Sequence, residues 1–414
     1  MHVVILADPP GALEKLCGVS LLERLLRILQ RLGFRDVTVV SRRAAEIQAA
    51  IDPPSWARHD LTANVIVPHE FNSALSEPTL VLPADIYCDA RLIRALAEAE
   101  APAALIDSAP PPEAAPLLAN CRHGSRGFLS GAVIVTAGNF EIPPNVDRGE
   151  WRLVDAAAVP GYIRSMRRTI RPLFFPAPTP DQKRDVERLI FNTGQNGTLD
   201  IPAILQSPVE DLIMRWLCRT SITPNQISLF TFLVGLLAAG FFATGHLWAG
   251  MIPALSVGVL DGLDGKQARV KIETSDTGKW EHYLDFVYET AWWAALAFWF
   301  QSSGQLSYAW RYFLLIMAGE GLDKIGKHIA RVRIGCLLDD YRPFDRFVRL
   351  IAARRDVYLS ALTIGLALGA AASTYRLCAF WGLITAGVHL FRGGMIALQT
   401  KIANPSRQVA TTSR

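Results

Sequence analysis

Between Asp261 and Asp285 the chain reads D-G-L-D-G-K-Q-A-R-V-K-I-E-T-S-D-T-G-K-W-E-H-Y-L-D. An apolar run, residues 251–260, precedes this stretch and another, residues 286–300, follows it. Ionisable side chains at the edge of long apolar helices are costly and mark ion or substrate sites. If both flanks are helical, Asp261, Asp264 and Ala268 share one face at i, i+3 and i+7. Glu281 and Asp285 share a face of the next helix at i, i+4. Four carboxylates then converge from two adjacent helices, and their repulsion demands a counter-cation. An all-oxygen donor set suits a hard divalent ion, Mg²⁺ or Mn²⁺. Gly265, Ala268 and Gly278 add little bulk, so a flat ligand or a second backbone could approach closely. Lys266, Arg269, Lys271 and Lys279 bring positive charge to the same stretch. Carboxylates for metal beside cations for phosphate describe a site for a metal-bridged diphosphate.

The rest of the chain must hold that stretch at a membrane. Of 414 residues 50% are hydrophobic and 19% charged, against about 25% charged in an ordinary soluble protein. A net charge of +4 is too small to argue for nucleic acid. The six cysteines show no C-x-x-C spacing and suggest neither a disulfide framework nor a zinc site. The first residues lack a charged segment and a long apolar one, so no signal peptide is expected.

Up to about Gln206 the composition is mixed, and from Ile227 onward long apolar runs dominate. Residues 3–7 predict a buried strand, residues 21–32 a helix ended by Gly33, and residues 37–40 the next strand. That order predicts an N-terminal α/β domain with a parallel, Rossmann-like sheet. Residues 64–67, 79–82 and 131–136 read as further strands, and residues 151–155 as the one that ends the sheet. Asp85 follows a strand at its carboxyl end, where open α/β sheets bind ligands.

The second half predicts an all-α transmembrane domain. Residues 208–219 form an amphipathic juxtamembrane helix, and Thr223-Pro224-Asn225-Gln226 is a helix start. Six spans follow, at roughly 226–244, 247–263, 281–301, 308–322, 357–373 and 378–398. The connector after the fourth carries Lys324, Lys327, Arg331, Arg333, Arg342, Arg346, Arg349, Arg354 and Arg355, which places it in the cytoplasm. Even spans put both termini there too, with the acidic motif. The expected divisions are 1–175 for the α/β domain, 176–206 for a linker, 207–225 for the juxtamembrane helix, 226–400 for the transmembrane domain and 401–414 for a cytoplasmic tail. Arg354 and Arg355 open the fifth span at the cytoplasmic edge, where basic side chains contact lipid phosphate.

The pattern D-x2-D-G-x2-A-R, then eight residues and G, then an acidic pair, resembles the CDP-alcohol phosphotransferase family over about residues 209–398. The family's acidic pair follows as G-x3-D-x3-D, whereas Glu281 and Asp285 stand one residue early and the aligned positions hold His282 and Phe286. A one-residue deletion after Gly278 restores the pair. The resemblance implies transfer of a substituted phosphoryl group from a CDP-alcohol to an acceptor hydroxyl, with release of CMP. It implies two Mg²⁺ or Mn²⁺ ions on Asp261, Asp264, Glu281 and Asp285, with Asp285 as the base. Gly265, Ala268, Arg269 and Gly278 would contact CDP. The implied acceptor is a lipid or polyol phosphate, the setting a multi-pass inner membrane, with a homodimer as an option and no nucleic-acid partner.

About residues 1–173 are similar to sugar-nucleotide-type nucleotidyltransferases, through V-V-I-L-A, the helix G-V-S-L-L-E-R-L-L-R and L-V-L-P-A-D-I-Y. That resemblance implies a metal site on Asp85, with Asp155 as a second acid. The Gly-rich phosphate loop of that family is replaced by D-P-P-G-A-L-E-K-L-C, where two prolines remove backbone donors. Three readings therefore stand: a phosphotransferase with an altered N-terminal domain, a bifunctional enzyme that also makes its CDP-alcohol from CTP, and an ion-coupled transporter.

Overall fold

The computed structural model describes residues 1–56, 60–71, 74–124, 126–139, 151–197, 199–273, 278–334 and 336–403, with the side chains of 74, 139, 278–282 and 400–403 outside that description. The N-terminal half is an α/β layer. Its sheet contains β1 (His2–Leu6), β2 (Asp36–Val40), β3 (Thr62–Ile66), β4 (Thr79–Pro83), β5 (Ala103–Asp107), β6 (Arg122–Gly124), β7 (Gly127–Val135) and β8 (Arg152–Asp155). Strand order is β8-β5-β7-β4-β1-β2-β3, with β6 paired to β7, so β8 ends the sheet as expected.

The sheet is mixed rather than wholly parallel. β4, β1, β2 and β3 run parallel, while β7 lies antiparallel between β4 and β5. The cause is in the connection: residues 108–121 hold a Pro-rich loop and a short 3₁₀ turn, with no crossover helix to return the chain for a parallel entry. Helices α1 (Leu21–Arg31), α2 (Ala44–Ile51) and α3 (Ala90–Ala97) accompany the strands. Ser20 caps α1 by accepting from the Glu23 amide.

The chain then runs through α4 (Lys183–Gly194) and α5 (Ile201–Leu217), which starts well before Pro208. The helical half follows with α6 (Pro224–Ala243), α7 (Leu247–Val270), α8 (Gly278–Ser302), α9 (Ala309–Arg331), the short α10 (Leu338–Tyr341) and α11 (Pro343–Ile351), α12 (Arg355–Ala367) and α13 (Ala371–Ala403). Thr223 opens α6 with the anticipated capping box: its hydroxyl accepts from the Gln226 amide and the Gln226 side chain accepts in return. Among the described residues three helices are long and apolar enough to cross a membrane, at Pro224–Ala243, Leu247–Val270 and Ala371–Gln399. The other expected spans differ in kind. α8 starts inside the acidic motif, α9 carries Glu320, Asp323 and Lys324, and α12 stops at Ala367, before the left-handed Gly369 (φ +68°).

Two large apolar cores account for most of the packing among the described residues, with smaller clusters around Val81 and Leu338. One joins Leu25, Leu29, Val37 and Leu82 of the α/β half to Met214, Leu217, Ile227, Leu263 and Val270, so α1, α5, α6 and α7 share one apolar interior. The other, around Trp292, Trp293, Tyr358 and Tyr375, fills the helical half. α1 also ends α7: Arg24 donates to the Val270 carbonyl at 2.8 Å and Arg27 to that of Lys271 at 2.6 Å. Cations there satisfy terminal carbonyls and complement the helix dipole. The helix carrying Asp261 and Asp264 is thereby fixed to the α/β half.

α9 and α13 cross closely at Gly326, where an added Cβ would lie 2.7 Å from backbone atoms of His389 and Leu390. Backbone yields little, so Gly326→Ala is expected to destabilise the fold by about 1–3 kcal/mol. Thermal unfolding of the detergent-solubilised chain measures this, and an unchanged midpoint would refute the tight crossing.

Candidate active site

A cavity of about 480 Å³ opens where α7, α8, α9 and the start of α12 meet. Asp261 reaches it from α7, and Asp285 and Glu289 from successive turns of α8. Arg355, the first residue of α12, lies among them. Its guanidinium donates to Asp261 at 2.6 Å, to Glu289 at 3.1 Å and to Asp356 at 3.2 Å. It also donates to the Tyr288 hydroxyl at 2.6 Å, which in turn donates to Asp285 at 3.0 Å. One cation therefore answers carboxylates from three helices, and these groups mark where positive charge is stabilised.

Asp264 does not line this cavity. It is only 2% exposed and accepts from the Ser228 hydroxyl of α6 at 2.6 Å. Gly265 and Arg269 do line it, and an added Cβ on Gly265 would meet the Arg269 guanidinium at 3.1 Å. Arg269 is steadied by the Gly194 carbonyl, to which it donates at 2.7 Å. Ala268 is half-buried on α7 outside the cavity lining, and Gly278 is the first residue of α8. The side chains of Glu281 and His282 lie outside the described residues, as does that of Lys279.

Two neighbouring lysines serve other contacts. Lys266 is 1% exposed and binds Asp211 of α5 and the Gln195 side chain, while Lys271 donates to the Thr220 carbonyl at 2.8 Å. Lys266, two residues from Asp264, fastens α7 to α5, and Lys271, just past the end of α7, binds the segment that follows α5.

Glu289 is a cavity residue that the motif does not name, although it continues the i, i+4 row from Glu281 through Asp285. The far wall carries Glu320, Asp323 and Lys324 of α9, with Asp323 paired to Lys327 and to His389 of α13. Among the described residues no group of three His, Cys, Asp or Glu is arranged to hold a metal ion. The donor set nevertheless fits a hard cation in kind, being oxygen-only carboxylates gathered around positive charge. Arg354 lines the same cavity and donates to Asp200 at 3.3 Å.

In the α/β half Asp85 follows β4 and lines a separate cavity of about 320 Å³ with Arg122, Ser130 and Pro176. Burial pushes its carboxyl above the usual range. The turn Pro10–Leu13 packs directly on it: a Cβ on Gly11 would lie 2.5 Å from that of Ala177 and 3.1 Å from that of Asp85. Asp155, at the end of β8, is not on that cavity. Burial opposes its charge, but it accepts from the Ser108 amide, the Ser108 hydroxyl and the Ala157 amide, which hold its carboxyl below the usual range.

Residues 221–352 match the family model described as CDP-alcohol phosphatidyltransferase. The chain is 27% identical over 189 residues to the "Bifunctional IPC transferase and DIPP synthase" of Thermococcus kodakarensis, a match covering 44% of this chain and 42% of that protein. It is 29% identical over 120 residues to the protein so named in Aquifex aeolicus, covering 27% and 28%. It is 36% identical over 81 residues to "Inner membrane protein YnjF" of Escherichia coli, covering 20% and 39%. The chain thus spans less than half the length of these relatives. The stretch similar to the CDP-alcohol phosphatidyltransferase family model thus lies in the helical half and includes the acidic motif and the cavity residues Asp261, Asp285 and Glu289.

Proposed function

We propose that the helical half moves a substituted phosphoryl group from a CDP-alcohol to an acceptor hydroxyl, releasing CMP, in phospholipid or phosphodiester synthesis. The observation that carries this reading is the shared cavity in which Asp261, Asp285 and Glu289 meet Arg269, Arg354 and Arg355. Asp261, Asp264, Glu281 and Asp285 would hold Mg²⁺ or Mn²⁺, as two ions, with Asp264 turned from the Ser228 hydroxyl toward the cavity. A bound divalent ion supplies charge neutralisation at the diphosphate and at the departing CMP. Asp285 takes the proton of the acceptor hydroxyl, whose oxygen bonds to the phosphorus carrying the alcohol while the bond from that phosphorus to CMP breaks. Tyr288 holds Asp285 in place through its hydroxyl. Arg269 meets phosphate beside Gly265. The acceptor is a lipid or polyol phosphate. Six spans with the α/β half, the cavity and the C-terminus in the cytoplasm accord with the basic connector after α9. Clustering of the acids beside the start of α12 disfavours a transporter.

The motif register makes its own prediction. With Glu281 as a metal ligand, Glu281→Gln raises the half-saturating Mg²⁺ concentration by more than about tenfold, comparable at least to losing an outer-shell partner. His282→Ala and Glu289→Gln are expected to shift it by less than about threefold, Glu289 serving chiefly to hold Arg355. The reverse order in a metal titration of activity would move the ligand assignment to whichever residue gave the large shift.

The names of two relatives and the cavity over Asp85 favour a second reading, in which the α/β half makes the CDP-alcohol. A triphosphate cradle aims several backbone N–H groups at phosphate. Here Pro9 and Pro10 donate none, and Gly11 is seated against Asp85 and Ala177. The full chain given CTP and a panel of alcohol phosphates, inositol phosphate included, is therefore expected to release little or no pyrophosphate. Pyrophosphate release that vanishes in Asp85→Asn would make the chain bifunctional.

A further inference from the structure

The transferase cavity is not built by the helical half alone. Ser165, Arg167 and Asn196, all N-terminal to the matched domain, line it beside Arg354 and Lys324. They come from a two-stranded hairpin, Tyr162–Ile163 with Arg168–Thr169, and from the loop after α4.

This hairpin is held against the helical half by specific contacts. The Tyr162 hydroxyl donates to Asp340 of α10 at 2.7 Å, and Arg164 donates to the Arg331 carbonyl at the end of α9 at 3.3 Å. Arg168 turns the opposite way and donates to the Asn192 carbonyl at 2.7 Å. Arg167, between them, is left-handed (φ 52°, ψ 41°), an arrangement that costs a non-glycine residue about 1 kcal/mol. The Gly197 amide donates to the Met166 carbonyl at 2.8 Å, and a Cβ on Gly197 would lie 2.4 Å from the Arg167 carbonyl. Backbone strain kept by such close packing tends to occur at functional sites. Its consequence here is to aim Arg167 into the cavity while its neighbours point elsewhere.

Arg167 shares that cavity with the guanidinium of Arg354. Burial first, and then the charge of Arg354, hold its pKa below the usual arginine range, with Asp339, Asp340 and Asp200 opposing. Arg354 is anchored to Asp200, at the start of α5. Asp261, Glu289 and Asp356 on the same cavity are answered by Arg355 instead. Two guanidiniums lining one polar cavity are a fit for the oxygens of a phosphate group.

We propose that Arg167 of the α/β half and Arg354 of α12 form a binding site for a phosphate group, so that the docked α/β half completes the transferase site. This deepens the transferase reading and rests on it for the site's purpose. The phosphate belongs either to the acceptor or to the donor's diphosphate.

The test is calorimetric titration of inorganic phosphate, and separately of CDP with Mg²⁺, into the full chain in detergent. Arg167→Gln and Arg354→Gln are each expected to weaken phosphate binding about tenfold, the worth of one charge-assisted hydrogen bond, with partial recovery in Arg167→Lys. CDP affinity unchanged in both variants assigns the site to the acceptor's phosphate, and CDP affinity falling alongside assigns it to the donor. Thermal unfolding of each variant checks folding, and Arg167→Lys keeps the test open should a glutamine variant unfold. Phosphate binding that is undetectable in the wild type, or indifferent to Arg167 in folded variants, overturns the proposal. Wild-type protein that binds phosphate through Arg167 but does not bind CDP would instead overturn the transferase reading and leave the anion site standing.

Discussion

Asp285→Asn is expected to lower CMP release by about a thousandfold, within the range for loss of a positioned general base. The substitution is nearly isosteric, so its effect is on charge and proton acceptance. The Asn carbonyl can still accept from the Tyr288 hydroxyl, and the aromatic core at Trp292 and Trp293, about two turns further along α8, is untouched. Membrane insertion and the thermal midpoint should therefore hold while turnover collapses. Turnover close to wild type would remove Asp285 from the role of base, and Glu289, one turn along on the same cavity, would be the next carboxylate to examine.

Removal of divalent metal should be comparably severe. Excess EDTA is expected to leave under about 1% of activity, a loss of roughly 3 kcal/mol in transition-state stabilisation. The reason is electrostatic. Asp261, Glu289 and Asp285 face one cavity with a diphosphate to be bound, and like charges do not gather without compensation. Arg355 supplies part of that compensation through its bonds to Asp261 and Glu289. Arg269 and Arg354 on the same cavity can answer phosphate oxygens, but not the carboxylates and a diphosphate together. Restoring Mg²⁺ or Mn²⁺ should restore turnover, and Asp261→Asn should need more metal to do so. Full activity in EDTA would contradict the carboxylate assignment.

Much of this site was legible because it is local. The motif named Asp261, Gly265 and Arg269 and all three line the cavity, but the expected face of Asp261, Asp264 and Ala268 does not: the wall runs at i, i+4 and i+8, and Asp264 turns to Ser228. The strand–helix–strand start of the α/β half was readable for the same reason: β1, α1 and β2 follow one another with clear periodicity. Lys266 and Lys271 were expected to bring charge to the site, but they bind Asp211 of α5 and the Thr220 carbonyl instead, partners that lie more than fifty residues away in sequence. The missed features are non-local. Asp261 and Arg355 meet across 94 residues, and Arg167 reaches the cavity through a hairpin docked on α9 and α10. Neither follows from a period. The antiparallel entry of β7 likewise depends on what the Pro-rich loop lacks, a crossover helix. Glu289 was concealed by its setting among aromatic and apolar residues, although its spacing from Asp285 gives it away.

In the proposed reaction the chain cleaves a CDP-alcohol at the diphosphate and passes the alcohol phosphate to a hydroxyl. The most direct measurement is chromatographic detection of CMP from purified full chain incubated with a panel of CDP-alcohols, Mg²⁺ and candidate lipid or polyol phosphate acceptors. The expected result is CMP formed in step with a new phosphodiester, dependent on the acceptor and absent in Asp285→Asn. No CMP from any donor, or CMP formed equally by wild type and Asp285→Asn, would contradict it.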